Sequence, residues 1–222
     1  MKSKEEIIKT INEVNKKTNI VNAIKFESIE TYVFLQKEFN SKRKINENHL
    51  FMFVYSSFYG MKRAGLIDAF YVLYFSLMEE YKNNSAAFNF KKEVTKFSKL
   101  KLRKRKKNTE PSNQFSFLTK LHHTIDNSKP IWDKHVCKTC EIYQYHPIDK
   151  QIVDYNKIEK LYKDIQKNEE LDEIVKEFKV KFKNYSINNT MIYDFIFWQC
   201  GKIINQMPKK KKKTTNKNKN GN

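Results

Sequence analysis

Lys120 and Asp133 are two residues of this sequence whose types and spacing suit covalent chemistry. An uncharged lysine amine attacks an electrophilic sugar carbon and forms a Schiff base. A neighbouring carboxylate takes up the proton or steadies an oxocarbenium-like centre. Both groups must sit on adjoining elements that converge, and the stretch from Ser112 to Val136 offers such a pair. Phe117, Leu118, Leu121 and Ile125 recur at helical spacing behind a Ser112 cap, with Lys120 between them and the polar margin of Ser116 and Thr124. Asn127, Ser128 and Pro130 end that helix, so Asp133 begins the next element, with Ile131 and Val136 turned inward. The plain alternative is a solvated lysine and an aspartate that only caps a helix.

Three neighbours are candidates for a base pocket. His122 and His123 follow Lys120 closely, and one of them is placed to hydrogen-bond a base or tune the amine. Trp132, beside Asp133, offers a stacking face, whereas Trp198 reads as core. His135, Cys137, Cys140 and His146 spell H-x-C-x2-C-x5-H, a possible zinc set. A helix starting near Asp133 sets His135 and Cys137 on diverging sides, and structural zinc sites draw their second ligand pair from a distant segment. Buried or half-exposed thiols are therefore the expectation, with no metal and no cofactor. Cys200 reads as core.

The elements that position these residues follow from composition and period. With four Gly and four Pro in 222 residues, the chain has too few turn formers for a sandwich or barrel, and 17 Phe with 12 Tyr give a bulky core. Amphipathic or apolar helices are predicted over 3–16, 27–39, 46–59 (central and buried), 66–81 and 188–205, with a long one over 154–183 broken near Asn168. Residues 88–107 start as a helix and then fray into a basic loop ending at Pro111. The fold class is all-α, one helical domain over 1–207 followed by a Lys-rich disordered tail at 208–222. Three Cys, no signal-peptide pattern and no apolar run of membrane-spanning length point to a cytoplasmic, soluble protein.

The net charge of +19 is unevenly placed. Residues 208–222 carry seven Lys and no acid, and residues 91–107 carry a net +9, which leaves +3 for everything else. Such localisation suits a polyanion, and Lys101, Arg103, Lys104, Arg105, Lys106 and Lys107 are the candidate nucleic-acid contacts. Solvated linker and tail is the plain reading of the same run. Arg63, in YGMKRAGL, is placed either to meet a phosphate or to cap a helix end.

The pattern T-K, a short segment, then P-x-x-D-x-x-V resembles the catalytic region of the helix-hairpin-helix DNA glycosylase superfamily, and within it the 8-oxoguanine DNA glycosylase branch. The likeness covers about 25 residues, Thr119 through Val136 and their flanks, with a weaker echo in the all-helical layout. It implies that Lys120 attacks the deoxyribose carbon, that Asp133 assists, and that the target base is flipped out of DNA into a pocket. The chain departs from the family in having no glycines before the lysine, where NQFSFLTK stands, and no iron–sulfur cysteine pattern. Its Lys-to-Asp separation of thirteen positions is also short for the superfamily. A non-catalytic basic nucleic-acid-binding protein and a helical protein-interaction module are the other function classes the sequence admits.

Overall fold

Apolar residues at a period of three to four, cut by capping residues, divide the chain into helices, and the computed structural model follows most of those cuts. It describes residues 1–105, 108–110, 113–144 and 147–208, with 105 and 108–110 as backbone only. Lys106, Lys107, the Ser112 cap, His146, the tail from residue 209 and the side chain of Arg105 lie outside the described residues.

Eleven α-helices stand among the described residues. They are α1 (Lys4–Lys17), α2 (Ile20–Ala23), α3 (Phe26–Phe39), α4 (His49–Phe58), α5 (Asp68–Tyr81) and α6 (Phe90–Lys99), then α7 (Phe115–Ile125), α8 (Lys134–Thr139), α9 (Ile148–Asn168), α10 (Asp172–Lys181) and α11 (Asn189–Gln206). The chain is all-α, and its helices bury apolar faces in one shared core. No described helix is long and apolar enough to cross a membrane. Caps set several boundaries. Ser3 N–H donates to Glu6 Oε2 (2.9 Å) while Glu6 N–H donates to Ser3 Oγ (3.2 Å), a reciprocal box that satisfies two orphan donors of α1. Asn48 and Asn188 accept from Phe51 N–H and Met191 N–H to open α4 and α11.

Four expectations need correction. The 46–59 segment is not buried all round: α4 starts at His49, buries Phe51 and Tyr55, and leaves Leu50 and Phe53 at 60% and 58% exposure. Helix α7 starts at Phe115, where Asn113 Oδ1 accepts the Phe115 N–H at 2.8 Å. The long C-terminal helix begins at Ile148 and does break at Asn168, where Glu169 takes a left-handed conformation (φ 55°). Residues 101–105 of the basic run after α6 do not fray. Leu102 alternates inward between exposed Lys101 and Arg103, a strand period, and β1 (Arg103–Arg105) pairs antiparallel with β2 (Asn108–Glu110), Arg103 opposite Glu110.

Helix α8 lies along α11 at very short range. A Cβ on Gly201 would run into the His135 carbonyl, and Thr139 Oγ1 donates to the Phe197 carbonyl at 2.7 Å. Only glycine permits that approach, and the approach fixes where α8 begins.

Candidate active site around Lys120 and Asp133

The segment joining α7 to α8 is held residue by residue. Tyr155 OH donates to the Pro130 carbonyl (2.9 Å), and Ile131 N–H donates to both oxygens of Asp194 (3.2 and 3.0 Å). Trp132 N–H donates to Thr119 Oγ1 (3.0 Å), and Ser116 Oγ donates to the Trp132 carbonyl (2.8 Å). Two hydroxyls of α7, one turn apart, thus fasten this strand-like stretch against the helix that carries Lys120. Each of these bonds also satisfies a buried backbone group that would otherwise cost about 1–3 kcal/mol. Asp133 then caps α8, its Oδ1 accepting from His135 N–H at 2.9 Å.

The consequence is that the Lys120 ammonium nitrogen stands 3.9 Å from Asp133 Oδ2. It also donates to Ser116 Oγ at 3.2 Å and lies 5.1 Å from the Phe117 ring centroid and 5.7 Å from that of Tyr59. Lys120 is 6% exposed, and burial holds its pKa below the usual lysine value, with the Asp133 charge pulling the other way.

Both groups line a cavity of about 160 Å³, walled by Tyr59, Ile131, Phe195 and Trp198. A cavity near 150 Å³ admits one benzene-sized ring, so the size class is that of a single ring system. Two further polar groups face this space. Asp194 lies deep in it, and burial drives its pKa well above the usual carboxylate range against the donors Ile131 N–H and Tyr162 OH. Gln199, 5% exposed, lines the same space, and its amide has no hydrogen-bond partner among the described residues. The sequence reading passed over both. Their signal was a polar residue in the otherwise apolar run IYDFIFWQC.

The expected base-pocket residues lie elsewhere. None of His122, His123 and Trp132 lines the cavity. His123 is fully buried, bonded to Tyr32 OH at 3.1 Å and to the Lys129 carbonyl, and burial lowers its pKa to about 4. His122 stacks on Phe90 at 4.9 Å and is likewise lowered to about 4, mainly by burial. His122, two places after Lys120, is rotated by about 200° onto another face of the helix, whereas His123, three places on, starts on nearly the same face and is held off the cavity by Tyr32 OH and the Lys129 carbonyl. Trp132 packs edge-on against Phe115 with its indole N–H buried and unpartnered, because successive residues of an extended stretch face opposite sides and Asp133 takes the cavity side. Trp198, read as core, is a wall of the cavity.

Cys137, Cys140 and Cys200 are free buried thiols. Burial pushes all three pKa values up, that of Cys200 to about 11. His135 instead packs edge-on to Trp198 (5.2 Å) and meets Asn205 Nδ2 at 3.2 Å. Among the described residues no group of three or more His, Cys, Asp or Glu is arranged to hold a metal ion.

Fold and site together define an all-α protein with a buried lysine–carboxylate pair at a ring-sized cavity. Comparison of the chain with protein-family models, with curated proteins and with solved structures finds no match.

Proposed function

We propose that this chain is a DNA-binding protein with glycosylase chemistry of the helix-hairpin-helix type, taking a modified base into the cavity and cleaving its N-glycosidic bond. The observation that carries the reading is the buried Lys120 amine, 3.9 Å from Asp133 at a ring-sized cavity. In this reaction the neutral Lys120 nitrogen bonds to the sugar carbon C1′ as the C1′–N bond breaks. The electron pair of that bond leaves with the base, which takes a proton from water. The attached ammonium passes a proton to Asp133; the nitrogen lone pair then breaks the C1′–O4′ bond, O4′ takes that proton back from Asp133, and the protonated Schiff base remains. Burial favours the neutral amine that the first step needs.

The test is reductive trapping. Protein is incubated with duplexes that each carry one oxidised, deaminated or alkylated base, or an abasic site, and borohydride is added. The expected result is a covalent protein–DNA adduct on at least one duplex, lost in Lys120→Gln and kept in Lys16→Gln. Failure to trap an adduct on any duplex overturns the enzymatic reading. A non-catalytic nucleic-acid-binding protein is the second reading, favoured by the exposed cations Lys101, Arg103 and Lys104, which need no cavity.

A further inference from the structure

Residues 101–104 of the basic run lie at a described strand, and a second basic segment, distant in sequence, joins it. After α4 the chain turns through Gly60 and runs Met61-Lys62-Arg63-Ala64-Gly65-Leu66. Strand β1 is laid against that turn: Lys104 N–H donates to the Gly65 carbonyl (2.8 Å), Ile67 N–H donates to the Leu102 carbonyl (3.1 Å), and Arg103 forms an antiparallel bridge with Leu66. Leu102 is buried beneath, Lys101 and Arg103 alternate away from it, and Lys104, Lys62 and Arg63 stand on the same strand and the adjoining turn, all five exposed. None of the five is ion-paired with a carboxylate among the described residues. The acids on the adjoining elements are Asp68 in the first turn of α5 and Glu110 across the ladder, so cations are in excess.

We propose that these two segments form one phosphodiester-binding surface, with Lys62 and Arg63 contributing contacts alongside those of β1. A fixed backbone lets the cations meet phosphates without the cost of ordering a loop. Leu102 of the strand points into the core, and the Lys62 ammonium lies 3.5 Å over the exposed ring of Phe53, so a bilayer surface is the competing partner that the vesicle measurement below tests. The inference rests on DNA being the partner, and not on the lysine chemistry.

Gly65 supplies a probe that changes no charge. Its φ is 67°, and a Cβ there would stand 3.3 Å from the Lys104 carbonyl, so Gly65→Val strains the turn and pushes β1 away. Binding of a short labelled random-sequence duplex is measured across salt concentrations, where each phosphate contact adds about 0.9 to the slope of log affinity against log salt. Lys62→Gln with Arg63→Gln is expected to lower the slope by close to two contacts' worth, and Gly65→Val to weaken binding several-fold at unchanged charge. Lys16→Gln with Lys17→Gln, exposed cations on α1, is the charge-matched control and is expected to leave the slope alone.

Equal losses in the control and the 62/63 variant reduce the effect to net charge and overturn the surface. Binding to anionic vesicles without binding to duplex overturns it as well. If Gly65→Val lowers the unfolding temperature sharply, the 62/63 variant still decides. Trapped adduct with unchanged slopes sinks this surface and spares the glycosylase reading; altered slopes with no adduct on any duplex do the reverse.

Discussion

Asp133 serves two partners with its two oxygens: Oδ1 caps α8 through His135 N–H at 2.9 Å, while Oδ2 stands 3.9 Å from Lys120 Nζ. One side chain thus anchors a helix and charges a cavity, and the two roles separate by mutation. In Asp133→Asn the amide oxygen still caps, so thermal stability is expected to stay close to wild type while adduct formation falls at least tenfold. Asp133→Ala loses the cap too and costs about 1 kcal/mol more. Chemical denaturation and trapping, run on both variants, read the two effects. Equal adduct yield in Asp133→Asn and wild type would leave the carboxylate with capping alone.

The pH dependence of trapping follows from the position of Lys120. Burial lowers its pKa and Asp133 partly restores it. The amine is reactive when neutral, so the trapping rate is expected to rise with pH through a midpoint below that of a free lysine. Removing the Asp133 charge moves the midpoint further down. A midpoint at the free-lysine value, measured with an abasic duplex, would mean that the amine is solvated.

Gly201 governs the site from a distance. Its missing side chain lets α11 approach the His135 carbonyl in α8, the helix that Asp133 caps. Gly201→Ala is expected to destabilise the fold by about 1–3 kcal/mol, as overpacking does, and to displace Asp133. Adduct yield at a temperature where the variant is still folded should therefore fall, and recovery of full yield would show that the helix contact does not set the pair.

His123 makes the fold acid-sensitive. Its folded-state pKa lies near 4 against 6.5 for the free ring, because burial disfavours the charged form. The unfolded chain therefore binds the proton first as pH drops. Stability is full above 6.5 and is lost as pH falls from 6.5 through 4, by on the order of 3 kcal/mol. Melting temperatures taken across that window should decline in wild type and decline less in His123→Gln. Parallel curves would remove His123 from the acid response.

The sequence by itself determined the all-α class, most helix positions and the break at Asn168, because apolar period and capping residues act over a few positions. It also singled out Lys120 and Asp133, one inside a helix and one at a cap. What it could not tell was which faces look into a cavity. His122 follows Lys120 closely, yet the helical rotation sends it onto Phe90; His123, nearly on the face of Lys120, is taken by Tyr32 OH and the Lys129 carbonyl, and Trp132 alternates away from Asp133. The tertiary structure alone decided that Asp194 and Gln199, from a helix more than sixty positions on from Asp133, share that cavity. It likewise decided that the basic run anneals to the turn at Gly65. Both depend on long-range contacts, whose partners local propensity does not specify.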